Sequence, residues 1–186
     1  MSDFSSLVAE YTYAQCNKLS IDKLVEYKKH AVEYLNNTNN NIKQYVEMFN
    51  TVISDVTSLI AKDFPNKIEI KTCNDLITTM VAEQPLRIFS LFLTDVYAND
   101  EYRNNILQGN DKFFENSTYD NVVKGDSDKI HIMDQIKKYW NEFTPDKKIY
   151  IKNACKMMIN ITEQYVISKD EGNDVKDMIM WYDTNM

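Results

Sequence analysis

At 186 residues, 44% apolar and 26% charged, the chain is long enough for a full hydrophobic core and too apolar for a disordered polymer. A net charge of −7 excludes a surface that is basic throughout. Three glycines and three prolines, with no Gly before Gly109 and no Pro before Pro65, exclude glycine-rich phosphate loops, tight hairpins and nucleophile elbows, which need backbone angles that Gly alone reaches cheaply.

The first residues, MSDFSSLVAEYTYAQ, carry no basic start and no continuous apolar run, so no signal peptide is expected. Phe4, Leu7, Val8, Tyr11 and Ala14 fall on one helical face behind a Ser2 or Asp3 cap. Ser20 caps a second helix with Ile21, Leu24, Val25, Ala31 and Leu35 inward. The amide run at residues 36–41 is a poor helix interior and reads as a turn. A third helix follows with Ile42, Tyr45, Val46, Phe49, Val52, Ile53, Val56, Leu59 and Ile60 in one stripe, ending before Pro65.

Residues 68–72 alternate like a strand but lack a partner, so they read as an extended linker. Asn74 or Asp75 is placed to cap a helix through Leu76, Ile77, Met80 and Val81. Pro85 fits the first position of the most apolar helix, Leu86 to Tyr97, which is expected to be the central core helix. From Asn99 to Lys129 the chain is rich in turn formers around Ile106-Leu107 and Phe113-Phe114. Helix returns at Ile130 with Met133, Ile136, Tyr139 and Trp140. Thr144-Pro145-Asp146 opens the next helix, through Ile149, Ile151, Ala154, Met158, Ile161, Tyr165 and Val166, and Gly172 is expected to break it.

The expectation is an all-α fold: a single helical-bundle domain of about six to eight helices over residues 1–171. Residues 1–63 form its N-terminal array, and residues 73–171 supply core and C-terminal helices. Residues 172–186 form a short acidic and aromatic tail.

Catalytic and metal chemistry find little footing. His30 and His131 are the only histidines, each without Cys or His at helical spacing, so no metal site is expected. Asp126-Ser127-Asp128 begins like a calcium loop, but Ile130 takes the next ligand position; a helix cap fits it better. Cys16, Cys73 and Cys155 are scattered and odd in number, which suits reduced thiols and a cytoplasmic location. No catalytic residue and no cofactor is expected, and no stretch approaches the roughly 20 apolar residues of a membrane span.

Charge is unevenly spread. Residues 129–156 carry a local balance of +4, which leaves −11 for the rest. Lys148, Lys152 and Lys156 are spaced by four and form one ridge, read either as a docking face for an acidic partner or phosphates, or as a solvated outer face. The tail sets Met178, Trp181 and Tyr182 among acidic residues at helical spacing. It is read either as an anchor for a partner's groove or as a last helix docked on its own bundle.

Several landmarks occur together: Asp63-Phe64-Pro65, Pro85 before an apolar helix, Phe113-Phe114, and the segment Lys138-Tyr139-Trp140-Asn141-Glu142-Phe143-Thr144-Pro145-Asp146-Lys147-Lys148-Ile149-Tyr150-Ile151. In this order they resemble a family of small, uncharacterised α-helical proteins of giant cytoplasmic DNA viruses, with Lys152 where that family has a second aromatic residue. The Asn, Lys, Ile and Tyr bias suits such a genome. The resemblance implies an origin and a fold, and no catalytic residues. The expected function is a non-enzymatic interaction or adaptor protein, binding another protein in the infected cytoplasm or in the virion. One alternative is a helical-bundle inhibitor of host apoptosis or innate signalling with a groove beside Phe89 and Phe92. A second alternative is a nucleic-acid accessory factor using the lysine ridge.

Overall fold

A computed structural model of the chain describes residues 3–124 and 137–186. Among them are eight α-helices and no strand: α1 (Phe4–Cys16), α2 (Ile21–Asp63), α3 (Ile68–Glu83), α4 (Pro85–Phe92), α5 (Asp100–Gln108), α6 (Asp111–Asn116), α7 (Asp120–Val123) and α8 (Pro145–Asn185). The fold is all-α, as the composition implies. Residues 137–140 are helical as well, as expected of the segment that carries Tyr139 and Trp140; its start at Ile130, with His131 and Asp126-Ser127-Asp128, lies outside the described residues.

Local signals set most of the boundaries. Asp3 caps α1, its carboxylate accepting from the Ser6 N–H at 2.8 Å, and the Ser20 carbonyl receives the first bonds of α2. Pro85 occupies the first turn of α4, and Pro145 opens α8. Gly109, at φ 66°, closes α5 in the left-handed cap that Gly adopts without strain.

Contacts group the chain into two compact units, Met1–Tyr45 with Glu163–Met186, and Val46–Thr162. Helix α2 ends at Asp63, the expected end of the N-terminal array, and supplies both units. The first unit is a three-helix bundle of α1, the early part of α2 and the late part of α8. Tyr34 meets Glu171 and Lys28 meets Asp183, so α2 and α8 run antiparallel here. Phe4 meets Tyr34 and Glu10 meets His30, so α1 and α2 are antiparallel as well.

Two expected breaks are absent, and they face each other. The amide run at 36–41 is an unbroken part of α2, with Asn36, Asn39, Asn40 and Asn41 exposed and Thr38 buried. Gly172 likewise sits inside an unbroken α8. A Cβ there would lie 3.4 Å from Thr38 Cγ2 and 3.7 Å from Leu35 Cδ1. Each of these residues lowers helix propensity by less than about 1 kcal/mol, and burial of Leu35 and Thr38 against α8 offsets that cost.

In the second unit, residues 68–72 are helix. An isolated strand would leave its N–H and C=O groups unpaired, whereas a helix satisfies them locally and buries Ile70. Asn74 is then an interior residue, accepting from the Ser58 hydroxyl at 3.3 Å rather than capping. The apolar helix at Pro85 is not the central core. It is α for two turns and then widens into a π turn over Leu93–Tyr97, and within α4 only Phe89 is fully buried, at 1% exposure. Phe49 reaches it from α2, with ring centroids at 5.2 Å from Phe89 and 5.0 Å from Phe92. The core of this unit is largely aromatic instead. Trp140 stacks on Phe114 at 5.2 Å beside Val56, Ile151 and Ala154, and Tyr102, Phe113 and Tyr119 pack edge to face over Ile159.

Gly172→Ala is expected to stabilise the protein by about 0.5–1 kcal/mol, since the methyl enters ordinary contact distance and removes the helix cost of Gly. Gly172→Leu should destabilise it. Denaturant midpoints check both signs; equal losses for Ala and Leu would mean that the approach of α8 to Thr38 is already too tight for a methyl.

Candidate interaction surface

The lysine ridge is built as spaced, but it does not face open solvent. Lys148, Lys152 and Lys156 are all half-buried. Lys148 Nζ lies 5.5 Å from the centroid of the buried Trp140 ring, a cation–π contact. Lys152 Nζ pairs with Asp111 Oδ1 at 2.7 Å. Lys156 lies along Gly109, its Nζ 3.2 Å from where a Cβ would stand, beside the negative end of α5. A hollow of about 380 Å³ near Phe143, Pro145 and Ile149 includes Asp111 and Glu115 as well as Lys148 and Lys152. Its charge is therefore mixed, unlike a phosphate site. The ridge ties α5 and α6 to α8, and so differs from both the free docking row and the solvated face expected of it.

The tail corrects the trans-binding expectation. Val175, Met178 and Tyr182 are buried in one cluster with Leu7, Ala14, Leu24 and Ala31. Trp181 is half-buried, its ring centroid 5.4 Å from that of Tyr11, and Tyr182 lies 6.0 Å from Tyr11. Lys28 pairs with Asp183. The Val175, Met178, Ile179 and Tyr182 spacing is thus the inner stripe of a bundle helix, because docking it onto α1 and α2 removes the apolar surface of all three from water. Tyr34 donates to Glu171 Oε2 at 2.8 Å; burial, then this bond, pushes its hydroxyl up to about 12. Burial, aided by Glu10, pushes Tyr182 up to about 12.

Two polar features are accounted for by their own partners. A hollow of about 440 Å³ beside the π turn is lined by Thr94, Asp95, Ala98, Asn99, Asp120 and Lys124. Lys124 pairs with Asp95 at 2.8 Å, and the Asn99 side chain caps α5 by accepting from the Tyr102 N–H. No group of three or more His, Cys, Asp or Glu gathers at metal-binding distance among the described residues. Burial pushes the Cys155 thiol up to about 12, which suits a core residue and leaves little thiolate.

The surface that stands out is one that sequence reasoning placed inside. On α3, Ile68, Thr72, Leu76, Thr79 and Glu83 recur at i, i+4, i+8, i+11 and i+15, and all are exposed. Ile70, Cys73, Ile77, Met80 and Val81 take the inner face. On α4, Leu86, Arg87, Ser90 and Leu91 are outward, followed by Thr94 in the π turn. Ile68 keeps 78% of its surface exposed, Leu86 59%, Leu76 57% and Leu91 49%. Within this row the positions between Ile68 and Glu83 are uncharged, and exposed Glu69, Lys71 and Asp75 border it on the same helix. The signal was legible in the spacing of Thr72, Leu76 and Thr79, but the richness of residues 86–97 in Leu and Phe masked it. No single described helix is long and apolar enough to cross a membrane; α3 and the segment Pro85–Tyr97 reach that composition only jointly and are bent by 114°. The groove expected beside Phe89 and Phe92 is occupied by Phe49.

The chain matches no protein-family model, and no curated protein or solved structure matches it.

Replacing Lys148, Lys152 and Lys156 together by Glu is expected to cost about 2 kcal/mol of stability, from a lost ion pair, new repulsion with Asp111 and Glu115, and reversed charge at the end of α5. Trp140 fluorescence in a Trp181→Phe background reads it out; an unchanged midpoint would return the ridge to solvent. A second expectation concerns alkali. Tyr34 and Tyr182 ionise near 10 when unfolded and near 12 when folded. Their contribution is therefore intact below pH 10 and lost as pH rises toward 12. The denaturant midpoint of the protein should fall through that window, and Tyr34→Phe with Tyr182→Phe should flatten the fall.

Proposed function

We propose that this chain is a non-enzymatic interaction protein, an adaptor whose contact surface is the outer face of the α3–α4 corner. The observation that carries the reading is the exposure of Ile68, Leu76, Leu86 and Leu91 along α3 and α4, bordered on α3 by Glu69, Lys71 and Asp75. Leaving such a patch in water is costly, and patches of this kind on soluble proteins mark contact sites. The reading moves the contact away from the lysine ridge and the C-terminal segment, whose side chains are engaged in packing. Weighed against it, the groove-binding inhibitor loses support because Phe49 fills its groove. The nucleic-acid accessory factor loses support because its lysines are half-buried and one is paired. A place in the infected cytoplasm or virion of a giant DNA virus is part of the proposal, supported by the sequence landmarks around Pro85 and residues 138–151 and by the Asn and Lys bias.

Affinity capture of the tagged chain from cells that express it, followed by mass spectrometry, tests the reading. Leu76→Glu with Leu86→Glu should remove specific partners by tenfold or more without lowering the melting temperature, since both side chains are outward. If these substitutions leave every partner bound while the triple Lys→Glu variant, still folded, loses them, the contact belongs to the ridge.

A further inference from the structure

The α3–α4 corner has a charge pattern that suits one partner above others. The nineteen residues from Leu76 to Thr94 carry two charges, Glu83 and Arg87, on a chain whose net charge is −7. Both are exposed, and they flank Gln84 and Pro85 at the bend between the two helices. Arg87 Nη1 donates to Gln84 Oε1 at 3.0 Å, and Glu83 has no ion-pair partner among the described residues. A basic partner or an anionic lipid surface would find Lys71 and Arg87 set among Glu69, Asp75 and Glu83 on these two helices, and little net field to follow.

From this pattern we infer that the corner docks a second copy of the chain, in an isologous contact with a two-fold axis beside Gln84 and Pro85. The inference rests on the proposal that this face is the contact surface. In a two-fold contact residue i meets j while j meets i, so one opposite pair satisfies itself twice: Glu83 of each copy meets Arg87 of the other. Leu76, Leu86 and Leu91 are then covered by their own kind, and Thr72, Thr79, Ser90 and Thr94 form an uncharged margin. Two acidic chains repel as wholes, whereas the exposed charges of α3 and α4 are close to balanced, Glu69, Asp75 and Glu83 against Lys71 and Arg87. The exposed apolar side chains of this contact, Leu76, Leu86 and Leu91, are few, which suits an interface at the lower end of what specific dimers bury. The contact is expected to be concentration-dependent rather than obligate.

A charge exchange tests the geometry. Glu83→Arg places a cation at the last residue of α3, and Arg87→Glu places an anion in the first turn of α4. Helix dipoles favour both changes, so neither threatens folding. Sedimentation velocity of the full chain at about 100 µM, well above a micromolar Kd, should give twice the 21.9 kDa chain mass. Each single variant should sediment as a monomer, because both cross-axis pairs become repulsive. An equimolar mixture of the two should recover the dimer, because both pairs become attractive. Wild-type protein that stays monomeric overturns the inference. If Leu76→Glu with Leu86→Glu still removes captured partners in that case, the contact-surface reading survives and the occupant is another protein. A wild-type dimer that persists in both single variants and in Leu86→Glu with Leu91→Glu places the contact elsewhere and also overturns it. So does a wild-type monomer that floats with neutral phosphatidylcholine vesicles, which would make the corner a membrane-surface element.

Discussion

The first unit depends on one close approach, that of Gly172 on α8 to Leu35 and Thr38 on α2. The two weakest helical stretches of the chain, an amide-rich run and a glycine, lie opposite each other. A residue no larger than Ala on one lets the other come near enough to bury Thr38. Burial then pays for the helical backbone that neither stretch would favour alone. Around this point Tyr34 reaches Glu171, and the Met178–Tyr182 stripe continues the same surface toward Leu24 and Leu7.

Much of this fold was legible in the amino-acid sequence because its signals are local. Asp3, Ser20, Pro85, Pro145 and the stripe from Val46 to Ile60 report on their own neighbours, and a cap or an apolar repeat means the same wherever the helix goes. The misreadings at residues 36–41, 68–72 and 172 share a different cause. In each, a weak local preference gives way to a partner more than ten residues distant, or to the need to satisfy backbone groups where no second strand exists. The contact face was misread because apolar content does not state which side is covered. Residues 86–97 hold more Leu and Phe than any other stretch, yet the space around them admits one residue of α4, Phe89, completely.

The second unit replaces an aliphatic centre with rings. Phe114 and Trp140 lie face to face, while Phe113, Tyr102 and Tyr119 meet edge on. Such rings place large buried area in few residues, which suits short helices such as α5 and α6 that cannot present a long stripe. The lysines of α8 then act as fittings: their stems lie along the helix, and their charged ends meet Asp111, the Trp140 ring and the end of α5. The positive charge of Lys148, Lys152 and Lys156 is consequently part of how the unit is joined.

The ends of the chain meet within one bundle, and this sets an order on synthesis. Lys28 must find Asp183, and Tyr34 must find Glu171, across sequence separations of 155 and 137. Residues 46–162 form a unit with its own core and can close while the ribosome is still extending the chain. The helices α1 and the early part of α2 emerge first yet finish last. Until the final two turns of α8 are made, Leu7, Ala14, Leu24 and Ala31 wait without the surface that covers them. Loop closure on this scale makes the first unit the slow step in maturation. A chain released after about residue 170 would hold a second unit with its core residues present and an open, sticky pair of helices, a form suited to chaperones and to quality-control proteolysis.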